Sequence, residues 1–120
     1  MRTPYHPDPE GLDIALIGMP CDGGVTNRPG TRHGPREIRN QSSLMRSIHH
    51  VTRVDPYALC EIADIGDVTF ESVFDRNAVV RDIETFLARV HAAGVIPLSA
   101  GGDHSVTYPI MKAISRDARR

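Results

Sequence analysis

With 120 residues, 40% of them hydrophobic, and a formal net charge of −1, the chain has the length and apolar content of one ordinary domain built on a single core. That charge balance argues against a phosphate-tracking nucleic-acid surface, and the sequence contains no apolar run of the roughly eighteen residues that a membrane-spanning helix needs. The opening MRTPYHPDPEG is polar and proline-rich, without the apolar centre of a signal peptide, so a cytoplasmic location is expected. Cys21 and Cys60 are far apart and form no CxxC pair, which predicts two buried thiols rather than a disulfide or zinc framework.

The run LDIALIG (12–18), closed by Gly18 and Pro20, predicts a first strand buried on both faces. MPCDGGVTNRPGTRHG follows, and its glycines and prolines predict an irregular loop well beyond the usual connection length, a kind of loop that tends to carry function. Gly34-Pro35 predicts a helix start, with Glu37 against the positive end of the dipole. Ile38, Met45 and Ile48 then fall on one face of a helix expected to finish before Asp55-Pro56.

LCEIADIG (59–66) predicts a second strand. From Asp75, the expected N-cap, the spacing Val79, Ile83, Phe86, Leu87, Val90 predicts a helix with one buried face, ended by Gly94. VIPLSA (95–100) predicts a third strand, with Pro97 favouring an edge position or a strand start. Val106, Ile110 and Ile114 resume helical spacing, and Pro109 requires that helix to begin close to Ser105. Strand and helix alternate, which predicts an α/β class with a parallel sheet and helices on both faces.

Ligands of open parallel sheets bind outside the carboxyl ends of the strands. GMPCDGG, DIGD (64–67) and GGDHS (101–105) share that edge. The glycines after the first strand lack dinucleotide-binding spacing, the only lysine is Lys112 and forms no phosphate loop, and no G-x-S-x-G elbow occurs. Read from the residues alone, His104 is either a structural hydrogen-bonding group or a metal ligand, and Asp103 a turn former or helix cap. Imidazole together with carboxylates suits a manganese-like ion.

GMPCDGGVTNRPGTRHGPREIR (18–39), DIGD and PLSAGGDHSVTYPI (97–110) together resemble the ureohydrolases, the family of arginase, agmatinase and related guanidino-acid hydrolases, and look most like the agmatinase branch. The resemblance implies a three-layer arginase-like fold and a binuclear Mn2+ enzyme that releases urea from agmatine or a guanidino acid, with His104 ligating one ion. It further implies a homohexamer acting on a small guanidino molecule. Asp22, Asn27 and Arg28 match the family's rim loop, near the substrate or a subunit contact, and Arg28, Arg32, Arg36 and Arg39 are expected to pin that loop and its helix.

The family's later Asp-x-His-x-Asp and Asp-x-Asp motifs do not occur in these residues. Residues 1–120 therefore read as the N-terminal portion of one ureohydrolase domain, about its first three βα units, with Met1 an internal methionine and the chain inactive by itself. An alternative is a non-catalytic subunit that assembles with full-length ureohydrolase; a metal-dependent deacylase of similar architecture is disfavoured by TNRPGTRHGPREIR. An unpaired strand edge and uncovered apolar helix faces are expected of such a piece.

Overall fold

The computed structural model describes residues 3–115. Strand β1 (Ile14–Met19) lies at the centre of a three-stranded parallel sheet, flanked by β2 (Ile62–Asp67) and β3 (Ile96–Gly101) in the order β2-β1-β3. Between them run α1 (Gly34–Gln41), the short α2 (Pro56–Leu59) and α3 (Arg76–Ala92), and α4 (Thr107–Ile114) follows β3. The parallel α/β architecture read from the sequence is the one found.

Strand alternation decides what each face carries. Ala15, Ile17 and Met19 point to one face and are buried against Ile83, Leu87 and Val90 of α3 and Ala113 of α4, which together form the core. Gly18 points to the other face, where a Cβ would lie 2.9 Å from that of Pro35, so α1 approaches the sheet backbone closely. The buried spacing expected along α3 holds for Val79, Ile83, Leu87 and Val90, with Phe86 half-buried at the core's margin. Asp75 caps α3 by accepting from the Asn77 N–H at 2.8 Å, and Gly94, at φ 74°, takes the left-handed conformation just past the helix end. Pro97 lies on β3, at one edge of this sheet, as a missing ladder donor requires. Along that strand Ile96 is 64% and Leu98 58% exposed, in register with Ile14 and Leu16, so the α1 side of the sheet stands partly uncovered at β3 among the described residues.

Three expectations are corrected. Helix α1 ends at Gln41 and gives way to a 3-10 turn over Ser42–Leu44 and extended backbone at Met45, leaving Ile38, Met45 and Ile48 exposed instead of forming a buried face. The cause is local: Ser42 Oγ donates to the Arg39 carbonyl at 2.7 Å and Ser43 Oγ to that of Asn40, competing with continued helix. Strand β2 begins at Ile62 and not at Leu59, because Asp55 caps the short α2 through the Tyr57 N–H at 3.0 Å and Pro56 opens it. Cys21 is buried, but Cys60, at the end of α2, is only half-buried.

Candidate functional site at the carboxyl ends of the strands

The three segments expected at one edge meet there. The long loop after β1, the turn after β2 and the GGDHS turn after β3 follow the ends of adjacent parallel strands, since Gly18 pairs with Asp67 and Met19 with Gly101. Backbone contact is close enough to demand glycine. A Cβ on Gly102 would sit 2.2 Å from the Cys21 carbonyl oxygen, and one on Gly34 would sit 2.8 Å from that of Gly101.

Asp22 is buried and tied within its own loop. It accepts from the Gly30 N–H at 2.8 Å and from Arg32 Nε at 2.9 Å, with the second arm of that guanidinium 2.7 Å away. Arg32 holds the Asp22 carboxyl below the usual carboxylate range, outweighing its burial. Asn27 and Arg28 occupy the exposed tip of the loop, Arg28 with a left-handed φ of 58°. Of the four arginines expected to pin this region, Arg32 and Arg39 do so. Arg36 pairs only with its exposed neighbour Glu37, and Arg28 makes no ion pair among the described residues.

The DIGD carboxylates are also engaged from within. Arg39 reaches from α1 to donate to both oxygens of Asp64, at 2.6 Å and 3.0 Å, and to Asp67. Burial pushes the Asp64 carboxyl up, yet Arg39 and the Gly66 N–H together bring it below the ordinary value. Asp64 and Asp67 thus serve the joint between α1 and β2.

Asp103 behaves as a helix cap and as something more. Its Oδ1 accepts from the Ser105 N–H at 2.8 Å and from the Ser105 hydroxyl, while Oδ2 accepts from the Gly24 N–H of the rim loop at 2.7 Å. Burial raises this carboxyl, and these donors more than offset it. Next to it His104 is exposed, its Nδ1 lying 3.3 Å from Thr107 Oγ1. Ser105 borders a cleft of about 680 Å³ whose other walls include Gly23, Gly24, Phe74 and Tyr108.

A manganese-type ion requires several imidazole and carboxylate donors. Among the described residues no group of three or more His, Cys, Asp or Glu side chains is arranged to hold a metal, and the nearby carboxylates of Asp22 and Asp103 are committed to N–H and O–H donors. His104 suits the part of a single ligand, and these residues do not compose a metal site by themselves. Thr107 beside His104 depends on the turn that the chain takes three residues ahead of α4's first residue, whereas the Gly24–Asp103 bond depends on which loops the sheet order brings together and has no local signal in the sequence.

The arginase family model matches residues 12–120. Guanidinopropionase from Pseudomonas aeruginosa is 54% identical over 117 residues, covering 98% of this chain and 36% of that protein. Among solved structures, proclavaminate amidino hydrolase from Streptomyces clavuligerus superposes with a TM-score of 0.88 at 34% identity, over 95% of this chain and 38% of that one. A Trypanosoma cruzi formiminoglutamase solved with Mn2+ superposes at a TM-score of 0.76 and 26% identity, over 88% of this chain and 35% of the other. No helix among the described residues is long and apolar enough to cross a membrane. The chain spans about a third of the length of the relatives it matches, and with the family model covering nearly all of it, it belongs to the arginase family.

Proposed function

We propose that the protein carrying these residues hydrolyses a small guanidino compound, agmatine or a guanidino acid, to urea and the corresponding amine. The observation that supports this most is the 54% identity to a guanidinopropionase across 98% of the chain, which includes the whole loop-and-turn assembly around His104. In this reading residues 1–120 are the N-terminal portion of one ureohydrolase domain, and the exposed Ile96 and Leu98 on β3 are covered by protein from outside the described residues. The assembled enzyme is a cytoplasmic homohexamer.

The cofactor in this reading is a pair of Mn2+ ions, with His104 one ligand and the others supplied from outside the described residues; bound there, the metal would activate water against a carbon that resonance makes a poor electrophile. The residues of this chain do the holding. Thr107 Oγ1 restrains the His104 ring, Asp22 closes the rim loop on itself through Arg32 and Gly30, and Asn27 and Arg28 stand at the rim where substrate enters.

The test is urea release by the complete protein, offered agmatine, guanidinopropionate and guanidinobutyrate with Mn2+. Urea and amine in equal amounts from at least one of them is expected; none from any would overturn the reading.

A further inference from the structure

We infer that Asp103 is a positioning residue that locks the rim loop onto the turn carrying His104 and thereby fixes the part of the cleft lining that loop and turn form together. The inference rests on the hydrolase reading above. A helix cap needs one oxygen, and Oδ1 already fills that need at the Ser105 N–H. Oδ2 is directed elsewhere, to the N–H of Gly24, 79 positions away in sequence and 2.7 Å away in space. The main chain of the same residue completes the clasp, its N–H donating to the Cys21 carbonyl at 2.9 Å.

The two segments so joined meet side by side on the lining of one cleft, Gly23 and Gly24 from the loop and Ser105 from the turn. Gly24 fits the lock because a Cβ there would stand 3.0 Å from Asp103 Oδ2 and 3.2 Å from Ser105 Cβ. Asp22 closes the loop internally, but its carboxylate bonds only to Gly30 and Arg32 of that same loop, so it cannot fix the loop's place relative to His104. Side-chain anchorage between the loop and the turn comes from Asp103. A loop released from this anchor would still fold on itself, yet would hold substrate less well against the reacting centre, weakening binding more than turnover.

Asp103→Asn separates the two duties. Asparagine still accepts from Ser105 as a cap, but its amide N–H2 then faces the Gly24 N–H, donor against donor. In the complete protein we expect backbone amides of residues 22–30 to exchange with deuterium about tenfold faster, and KM for the guanidino substrate to rise about tenfold with a smaller change in kcat. Ser105→Ala, which keeps the Gly24 bond, should leave the loop's exchange at the wild-type rate. Unchanged loop exchange in Asp103→Asn would overturn the lock, and faster exchange with unchanged KM would overturn the positioning role. If the wild-type protein releases no urea, it is the hydrolase reading that falls, and the exchange rates still decide whether the lock exists.

Discussion

Arg39 and Asp64 are joined by two parallel hydrogen bonds, Nε to Oδ2 at 2.6 Å and Nη2 to Oδ1 at 3.0 Å, and the same guanidinium extends to Asp67. The Asp64 side chain is only 7% exposed, so this pair is a partly desolvated strut between α1 and β2 rather than a surface ion pair. Arg39→Ala leaves the Asp64 carboxylate buried without its main partner. We expect a loss of about 3 kcal/mol in urea unfolding, and the double variant Arg39→Ala with Asp64→Asn should cost clearly less than the two single losses added together.

Acid should act through the same carboxylates. Asp22, Asp64 and Asp103 are all held below their ordinary value of 3.8 in the folded chain. A group depressed in this way takes up its proton first in the unfolded state, so its contribution is complete above about pH 4 and is lost as the pH falls through the folded-state value. Stability measured from pH 7 downward should therefore hold level to about pH 4 and then drop. Asp64→Asn should start less stable at pH 7 and show a shallower drop below pH 4.

Gly102 offers a test of how tightly the strand ends are stitched. At φ 29°, and with the Met19 and Cys21 carbonyl oxygens 2.6 Å and 2.2 Å from where a Cβ would be, it leaves alanine no room. Gly102→Ala should destabilise by about 3 kcal/mol or more. Gly11, at φ 78° with nothing within 4 Å, is the control; alanine there should cost about 1 kcal/mol, the backbone term alone. Equal losses in thermal unfolding would contradict the close approach.

What the sequence revealed follows from the range of the interactions concerned. Helix α3 was legible because its buried face repeats at helical spacing and its cap, Asp75, is local. The end of α1 was not, since Ser42 and Ser43 turn the backbone through bonds to carbonyls three residues back, a competition that hydrophobic spacing does not register. His104 and the rim loop were visible as motifs, and the family resemblance carried their meaning. The partners that fix them were not. Arg32 and Asp22, Arg39 and Asp64, and Gly24 and Asp103 stand 10, 25 and 79 positions apart, and the last pair meets only because β3 lies beside β1.

The most direct test of guanidino hydrolysis through His104 is urea release by the complete protein with Mn2+, wild type against His104→Ala, with bound manganese measured on both. Urea is expected from the wild type and, in His104→Ala, a loss of about a hundredfold or more in rate together with weakened manganese binding. Wild-type rate and manganese content in His104→Ala, or no urea from the wild type with any guanidino compound, would contradict hydrolysis through His104.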